Sequence, residues 1–472
     1  MLPAIALVLG LAGTVLDFSV CWRIADEVSS ATDVYYPGSS SYVADNEHYA
    51  TSSSQASKCS VEPGSAEDVG IILGILGKTK TAFGVKGGGH VTNQGFSSTT
   101  GVQIAMTRFK EVTYDSATQT AVIGAGNIWD DVYDVLNAQG VNVVGGRVSG
   151  IGVAGFTLGG GYSWLSNQYG LALDSVVAYE LVVPNGTVVT VTEKNDPDLF
   201  FSLKGGGNNY GIVTQFTLNA YPQGAVWGGG ALYNASYISA FTAASVKFCS
   251  EVTDPKAQIL IIYGYYSGQM LLSTQMFYDG PTPPDGIFDD FLAIPALTED
   301  LTTRSFSDLI HSTFAMINAS SGYRTVYNHV PMLEYSESSI DAVIDEVNFW
   351  GPTLSSHGAN IISYAIEPFL PSLLSHAPAG SSAYPSTRDH FPFPTNVNFQ
   401  WTSESEDGVF HNAARQTAER LGTQGESIYP NYAIYGTPVM DMFGEEGLRR
   451  MEDTRERVDP HGVMLLAGGF KV

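Results

Sequence analysis

Hydrophobic and polar positions in the first half of the chain change period repeatedly, from the alternation of short strands to the spacing of helices. Ser65 is a favourable helix cap, Asp68 follows three residues later, and residues 69–76 form an apolar run. CSVEP before this helix and residues 81–85 after it are typical of strands. The pattern therefore predicts a strand, a helix and a strand that lead into GVKGGGH, residues 84–90.

A second group of elements follows directly. VQIAM, KEVTY and TQTAVIGAG predict strands, and NIWDDVYDVLNAQG predicts a helix. Asn127 is the predicted cap of that helix and Gly140 its end. The predicted buried face consists of Ile128, Val132, Val135 and Leu136.

Turn residues mark the next elements. Asn185-Gly186 between two β-branched runs predicts a hairpin, Asp196-Pro197 begins a short helix, and GIVTQFTL predicts a strand. After about Tyr221 the chain becomes richer in aromatic strands such as AQILIIYGYYSGQM, with a loop at PTPPDG, residues 281–286. NYAIYG and a charged helix over GEEGLRRMEDTRERVDP come last.

Composition narrows the function classes. A chain of 472 residues is too long for one ordinary core, so we expect more than one domain. Asp and Glu outnumber Lys and Arg by 47 to 22, which gives a formal charge of -25. Such a field repels phosphate backbones and anionic lipids, so nucleic acid and membranes are not expected partners, and the oligomeric state is left open.

The start of the chain suggests secretion. MLPAIALVLGLAGTVL resembles the apolar part of a signal peptide, which we place at residues 1–18; the alternative is a buried N-terminal element. Three sequons, at Asn185, Asn234 and Asn318, are candidate glycosylation sites. In an oxidising compartment Cys21 and Cys59 would form a disulfide and leave Cys249 as a buried thiol; the alternative is three free cysteines.

Several common catalytic motifs are missing. GILGKTK lacks the first glycine of a phosphate-binding P-loop, because that position is Ile72. Gly150, Gly152 and Gly155 match a dinucleotide fingerprint, but a glycine triplet follows where that fingerprint requires a helix. The sequence has no HExxH, CxxC or GxSxG, so neither a metal site nor an elbow-type serine hydrolase is expected.

With those motifs excluded, three glycine triplets are the candidate functional motifs that remain. They stand in GGGH at 87–90, GGGY at 159–162 and GGGNNYG at 205–211, each beside a predicted strand. Bare backbone amides can cradle a diphosphate without basic side chains, which favours a dinucleotide ligand. The alternative is that the glycines serve only tight turns.

The order of these segments resembles a known family. VKGGGHVTNQGFSS is similar to the flavin-tethering segment of berberine bridge enzyme-like, FAD-linked oxidases of the vanillyl-alcohol oxidase superfamily. GGRVSGIGVAGFTLGGGYSW, NDPDLFFSLKGGGNNYGIVTQFTL, YPNYAIYG and LRRMEDTRERVDPHG resemble later segments of the same family in order and spacing. The resemblance extends from about residue 20 to residue 472 and is weakest in the middle.

The resemblance implies an α+β fold with an FAD-binding domain of the vanillyl-alcohol oxidase type and an inserted antiparallel-sheet substrate domain. We expect the first part of the FAD-binding domain at 19–222, the substrate domain at 223–424 and the C-terminal part of the FAD-binding domain at 425–472.

His90 is then the residue that would carry FAD through an 8α-histidyl bond. Family members with a second tether have a cysteine where this chain has Val148, so a single attachment is expected. Ile151 stands at the family's oxygen-access position, and Lys86 replaces a commoner arginine. The resemblance places further residues at the cofactor: Gly87, Gly88, Gly89, Gly150, Gly155, Gly159, Gly160, Gly161, Ile212, Val213 and Asn431.

Tyr429 resembles the family's catalytic tyrosine, which would take a proton while hydride leaves the substrate for flavin N5. A phenol needs a cationic or hydrogen-bonding neighbour for this role, and the sequence names none. Tyr432, Gln400 and Trp401 are candidate substrate contacts, although the two tyrosines could simply line a sheet.

The expected protein is thus a secreted FAD-dependent oxidase of a small organic or carbohydrate substrate. Dioxygen would be the acceptor and hydrogen peroxide a product, in secondary-metabolite biosynthesis among other settings. The alternative is an FAD-containing non-redox cyclase or binding protein that uses the same pocket.

Overall fold

The computed structural model of the protein describes residues 18–390 and 392–472. All but the last residue of the predicted signal peptide lies outside these ranges. Helices and mainly antiparallel sheets alternate along the described chain, which confirms the α+β class. No helix in the described ranges combines the length and the apolar character that a bilayer crossing requires.

The first part of the chain contains three small sheets. A four-stranded sheet has the order β1-β2-β4-β3, a five-stranded antiparallel sheet has the order β5-β6-β10-β8-β9, and β7 pairs with β11. The strands are β1 (Asp33–Tyr35), β2 (Cys59–Glu62), β3 (Phe83–Lys86), β4 (Val102–Ala105), β5 (Val112–Asp115), β6 (Thr120–Gly124), β7 (Val141–Asn142), β8 (Val176–Val182), β9 (Val188–Val191), β10 (Ile212–Asn219) and β11 (Tyr221–Pro222).

Helices pack around these sheets and share one large buried core with them. The α-helices of this part are α1 (Ser19–Glu27), α2 (Ser40–Asn46), α3 (Ala66–Thr79), α4 (Trp129–Asn137), α5 (Val153–Leu158), α6 (Ser166–Tyr169) and α7 (Pro197–Leu203). The predicted cap of α3 is confirmed, because the Ser65 hydroxyl accepts a hydrogen bond from the backbone N–H of Asp68. Asp196 caps α7 in the same way.

A seven-stranded antiparallel sheet follows, in the order β15-β12-β14-β13-β17-β18-β16. Its strands are β12 (Val226–Asn234), β13 (Ala257–Tyr266), β14 (Gln269–Tyr278), β15 (Ala296–Arg304), β16 (Arg324–Met332), β17 (Ala359–Ile366) and β18 (Phe393–Trp401). The remaining α-helices are α8 (Ile238–Glu251), α9 (Asp289–Leu292), α10 (Phe306–Ser312), α11 (Phe314–Ser320), α12 (Glu337–Ser355), α13 (Asp407–Leu421) and α14 (Met440–Val458).

The two faces of this sheet have different neighbours. Helices α8, α12 and α13 cover one face and form a second buried core with it. Successive side chains of a strand point to opposite faces. In β18, Val397 and Phe399 belong to that core, whereas Asn396 and Asn398 point to the other face and line a cavity. Asn396 and Asn398 thus form a polar stripe on the face of the sheet that is turned towards the first part of the chain.

Two details of the predicted helix at 127–140 are wrong. The N-cap of α4 is Ile128, and the Asn127 amide instead donates to the carbonyl oxygens of Gly124 and Glu111. Val135 is 39% exposed, while Trp129 and Tyr133 are fully buried. The buried face of α4 is therefore rotated towards its aromatic residues.

The cysteines form the bridge that the sequence suggested. Cys21 in α1 and Cys59 in β2 are joined by a disulfide, and both are fully buried. Cys249 is a free thiol as expected, but its residue is only partly buried, and this burial raises its pKa to about 12. The bridge ties the N-terminal helix to the first sheet.

Candidate active site

A cavity of about 440 Å³ lies between the first part of the chain, the polar stripe of the seven-stranded sheet and the segment around residues 429–432. All three glycine triplets contribute to its wall, through Gly87, Gly88 and Gly89, through Gly159, and through residues 205–207. The fold therefore brings together in one site the three motifs that stood out in the sequence.

Close backbone packing explains why some of these positions are glycine. A Cβ atom added at Gly88 would lie 2.6 Å from the backbone of Gly152, so the two loops that carry these residues touch directly. A Cβ added at Gly155 or Gly207 would meet no atom within 4 Å, and both residues line the cavity. Bare backbone thus faces open space at both places, which fits an elongated ligand such as FAD.

His90 lies in the loop after β3 and also lines the cavity. Its ring stacks on that of Tyr49 with a centroid distance of 4.1 Å. The buried Nε2 atom has no hydrogen-bond partner in the described part of the chain. Burial lowers the pKa of His90 to about 4, so the imidazole is neutral at pH 7 and one ring nitrogen keeps a free lone pair. This is the state in which an imidazole is a nucleophile.

The hydroxyl of Tyr429 receives two hydrogen bonds. The backbone N–H of Gly161 donates over 3.0 Å and the side-chain amide of Asn431 donates over 2.9 Å. The same amide nitrogen lies 3.1 Å from the carbonyl oxygen of Phe156, which can only accept, so its assignment as a donor is fixed. Two donors that converge on a phenol oxygen stabilise its deprotonated form.

The pKa of Tyr429 reflects two opposing effects. Burial raises it to about 12, while the hydrogen bonds from Asn431 and Gly161 and the charge of Arg147 lower it. Burial is the larger effect, so the phenol is protonated at neutral pH. The two donors reduce the cost of the negative charge that the oxygen must carry before it can accept a proton.

A buried ion pair lies beside this tyrosine. The Nη2 atom of Arg147 donates to Glu367 over 2.5 Å and to the hydroxyl of Tyr432 over 3.0 Å, and Tyr432 donates to the other Glu367 oxygen over 2.9 Å. The side chains of Arg147 and Glu367 are 7% and 2% exposed, and all three residues line the cavity. Burial raises the pKa of Glu367, and Arg147 and Tyr432 oppose that effect.

Sequence reasoning did not identify Arg147 or Glu367. A usable signal was present, since each is a single charged residue in an uncharged stretch, VNVVGGRVSG and IISYAIEPFL. Their pairing could not be predicted from the sequence because 220 positions separate the two residues. Asn396, Asn398 and Tyr327 are further polar residues of the cavity wall that the sequence did not single out.

Most of the proposed cofactor positions lie at the cavity, but four do not line it. The Lys86 ammonium donates to the Ala44 carbonyl over 2.7 Å, and the Gly150 N–H donates to Asp130 over 2.8 Å. Gly160 and Gly161 lie behind Tyr429, where a Cβ at Gly160 would come within 2.9 Å of its ring. The proposed cofactor positions that line the cavity are Gly87, Gly88, Gly89, His90, Ile151, Gly155, Gly159, Ile212, Val213 and Asn431; Tyr429, proposed as the base, and Tyr432, proposed as a substrate contact, line it too.

The two candidates on β18 point in opposite directions. Trp401 lies in the second core, where it stacks on Phe410 and donates to Asp407, so its assignment as a substrate contact is wrong. Gln400, two residues after Asn398, points to the same face of the sheet but does not line the cavity. Its amide donates to the Tyr49 hydroxyl over 3.1 Å, which places it beside the ring that stacks on His90.

Comparison with known sequences connects this geometry to flavoproteins. The family described as FAD binding domain matches residues 57–192. An uncharacterized FAD-linked oxidoreductase of Arthroderma benhamiae is 37% identical over 60% of this chain and 57% of its own length. FAD-dependent monooxygenase sdcF of Emericella nidulans is 31% identical over 93% of this chain and 95% of its own length.

Solved structures share the fold at low sequence identity. The berberine bridge enzyme-like protein 1 of Physcomitrella patens superimposes with a TM-score of 0.78 and 20% identity, over 94% of this chain and 97% of the other. The 6-hydroxy-D-nicotine oxidase of Arthrobacter nicotinovorans gives a TM-score of 0.79 and 18% identity, over 93% and 98% of the two chains. At this identity the likeness establishes the fold.

Proposed function

Since the chain belongs to a family of FAD-dependent oxidoreductases and has the fold of berberine bridge enzyme-like proteins, we propose that it is a secreted oxidase that carries its FAD on His90. Membership of the family makes the chain an FAD-dependent oxidoreductase. The covalent link, the electron acceptor, the substrate class and the location are parts of the proposal.

The state of His90 is the observation that carries the proposal. Its neutral imidazole, with a buried Nε2 atom, lines a cavity whose walls are largely glycine backbone and aliphatic side chains. At the second attachment position of the family this chain has Val148, which also lines the cavity and has no nucleophilic atom. A single covalent bond, through His90, is therefore the arrangement that these residues support.

When bound, FAD would supply the hydride acceptor. Tyr429 would act as the base that takes the hydroxyl proton of the substrate. In an alcohol, hydride would leave the carbon that bears the hydroxyl; in a phenol, it would leave a benzylic carbon conjugated with the ring. Asn431 and Gly161 would hold the Tyr429 oxygen and stabilise its charge. Tyr432, fixed by Glu367 and Arg147, would form the neighbouring wall of the substrate pocket.

Two observations support dioxygen as the acceptor. Ile151 lines the cavity, and its aliphatic side chain at the family's oxygen-access position resembles members that react with dioxygen. One of the structural neighbours is named an oxidase. Because a sequence relative is named a monooxygenase, turnover under ¹⁸O₂ should be measured: an oxidase yields one labelled hydrogen peroxide per substrate and an organic product without label, whereas a monooxygenase places one labelled oxygen in the organic product.

The secretory location rests on the N-terminal region and the surface. The Cys21–Cys59 disulfide suits an oxidising compartment. The three sequon residues, Asn185, Asn234 and Asn318, are all exposed and therefore accessible to glycosylation. The aromatic residues of the cavity suit a flat organic substrate, such as an intermediate of secondary metabolism, and equally the face of a sugar ring.

The tether is tested by acid precipitation of the purified protein. We expect the yellow colour to stay with the polypeptide, and to appear in the supernatant for His90→Ala. The matched control is His48→Ala, because His48 is also buried and neutral but does not line the cavity. Colour that remains bound in His90→Ala, or free flavin from the wild-type protein, would contradict a bond through His90.

The redox role is tested separately by anaerobic mixing with candidate substrates. Bleaching of the flavin, followed by peroxide release when air is admitted, is the expected result. A flavin that no substrate reduces, in a protein that still binds those compounds, would favour a non-redox cyclase or binding protein.

A further inference from the structure

A ring contact holds the imidazole of His90. The ring of Tyr49 stacks on it with a centroid distance of 4.1 Å and an angle of 13° between the ring planes. No other residue in the described ranges forms a hydrogen bond with either imidazole nitrogen. Rotation of a histidine ring about its last side-chain torsion is only weakly restricted, so an unsupported ring adopts many orientations. The contact with Tyr49 is therefore what selects one orientation of His90.

A stacked neighbour leaves the reactive direction of an imidazole open. The lone pair of the imidazole nitrogen lies in the plane of the ring, whereas Tyr49 covers a face of that ring. His90 lines the cavity together with Gly88 and Gly89 of the same loop, but Tyr49 does not line it. Tyr49 thus restricts the imidazole without taking space from a ligand.

The backbone of Tyr49 is fixed on both sides of its ring. The N–H donates to the carbonyl oxygen of Gly89, the residue before His90, over 3.0 Å. The carbonyl oxygen accepts from the N–H of Gly322, just before β16, over 3.2 Å. The stacked ring is therefore attached directly to the loop that carries the histidine.

The hydroxyl of Tyr49 is anchored to the second part of the chain. It accepts from the side-chain amide of Gln400 in β18 over 3.1 Å and lies 3.0 Å from the hydroxyl oxygen of Ser320 at the end of α11. Ser320 gives its own hydrogen to the Ile317 carbonyl over 2.9 Å, so Tyr49 is the donor to Ser320. Tyr49 thus connects the His90 loop to the seven-stranded sheet.

We propose that Tyr49 is a positioning residue for the covalent attachment of FAD, because it holds the imidazole of His90 in one orientation. This inference rests on the proposed function and adds a residue to its tether. Attachment replaces one hydrogen of the flavin 8α carbon and the N–H hydrogen of the imidazole by a single N–C bond, and dioxygen takes up both hydrogens as hydrogen peroxide. Correct orientation of the reacting nitrogen raises the rate of such a step.

The test measures how fast flavin becomes resistant to acid precipitation. The full chain is produced in riboflavin-limited cells, mixed with FAD in air and precipitated at intervals, and the flavin of the precipitate is measured by its fluorescence on a denaturing gel. Tyr49→Leu should slow attachment by about 2- to 10-fold, the range that one aromatic pair is worth. Tyr49→Met, which fills more of the same space without a ring, should show the same slowing.

Tyr49→Phe is the conservative variant, because it keeps the stacked rings and loses only the hydroxyl. It should attach flavin within about 2-fold of the wild-type rate. Tyr42→Leu is the matched control for folding. Tyr42 is also a tyrosine of the N-terminal segment, is buried and bonds to the Ser57 carbonyl, but it does not line the cavity and should not affect attachment.

A further control separates positioning from cofactor binding. In a His90→Ala background, where no bond through this residue can form, addition of Tyr49→Leu should leave the dissociation constant of FAD unchanged. Quenching of flavin fluorescence on binding measures this constant. The expected result follows because Tyr49 does not line the cavity.

Each other result overturns the inference. Equal attachment rates of Tyr49→Leu and the wild-type protein mean that the stacked ring does not orient His90, and a Tyr49→Phe rate as low as that of Tyr49→Leu means that the ring contact is not sufficient. Slowing by Tyr42→Leu, or weaker FAD binding in the double variant, assigns the effect to general structure. Failure of the proposed function is distinct, because the wild-type protein itself would then never retain flavin after precipitation, and the inference would fail with it.

Discussion

At the scale of single residues, the Tyr429 oxygen is where burial and hydrogen bonding compete most directly. Burial alone would make this phenol a poor base, and its pKa of about 12 shows that burial prevails at rest. Asn431 and Gly161 nevertheless both donate hydrogen bonds to this oxygen. Two such donors stabilise a deprotonated phenol more than a protonated one. The arrangement is suited to the deprotonated phenol, the form that can accept a proton from the substrate.

Asn431→Leu should therefore slow flavin reduction. Loss of a hydrogen bond to a charged acceptor raises the pKa of Tyr429 by about one to two units. Between pH 6 and 9 both proteins should react faster as the pH rises, because the deprotonated phenol is the active form. The variant should be about 10- to 100-fold slower at each pH, measured by anaerobic stopped-flow absorbance with any substrate that bleaches the flavin.

Tyr429→Phe is the control for that experiment, since it should remove the rise with pH altogether. A wild-type rate that does not depend on pH would show that Tyr429 is not the base. An Asn431→Leu rate equal to the wild-type rate would show that the amide does not support the charge.

At the scale of elements, one carboxylate of α3 binds the segment that follows α1. Asp68, in the first turn of α3, accepts hydrogen bonds from the backbone and hydroxyl of Ser29 and from the hydroxyl of Thr32. Burial raises the pKa of Asp68, but these bonds outweigh it and the net pKa lies below the ordinary value. Asp68 and the disulfide hold the same N-terminal segment.

Asp68→Ala should destabilise the protein by about 2–3 kcal/mol at pH 7, the cost of leaving buried donors without their charged acceptor. A lowered folded-state pKa gives stability that is complete above the unfolded value near 3.9 and is lost as the pH falls through the folded value. The difference in urea-unfolding free energy should thus be constant above about pH 5 and should shrink below about pH 4.

Asp285→Ala, in the exposed loop at 281–286, is the matched control and should change stability little at any pH. A difference for Asp68→Ala that persists undiminished at pH 3 would mean that the carboxylate charge is not what holds α1.

The elements also show what the sequence could predict. Local signals were sufficient for the Ser65 cap, the Asp196 cap and the hairpin around Gly186, because each depends on residues a few positions apart. Asn127 failed as a cap because its amide finds carbonyl partners in the preceding turn, a competition that spacing does not reveal.

The residues of the candidate active site likewise fall into those that local motifs predicted and those that they did not. The glycine triplets and His90 were visible because the family carries them as contiguous motifs, whereas the partners of Tyr429 and the ion pair of Arg147 join distant segments. Trp401 was misassigned because the sequence does not show which face of the sheet its side chain occupies. The strand register of the sheet places it in the second core.

At the scale of the whole molecule, the formal charge of -25 is a source of self-repulsion. Salt screens such repulsion over about 8–10 Å at moderate ionic strength. We expect the thermal midpoint at pH 7 to rise by roughly 2–4 °C between 10 and 300 mM NaCl, the shift that about 1 kcal/mol produces in mid-sized domains. Scanning calorimetry measures it.

The same comparison at pH 4.5, close to the isoelectric point, provides the control. The salt effect should vanish there because little net charge is left to screen. A stabilisation of equal size at both pH values would assign the effect to something other than net charge.

The wall of the cavity has a consequence for how the protein is made. Gly469 and Phe470 line the cavity, and the Phe470 carbonyl accepts a hydrogen bond from Asn209 beside the third glycine triplet. His90 leaves the ribosome long before Phe470, and at roughly 5–20 residues per second the interval is tens of seconds. The pocket lacks this part of its wall during that time. We therefore expect flavin loading to be completed only after synthesis, in whichever compartment the chain completes its folding.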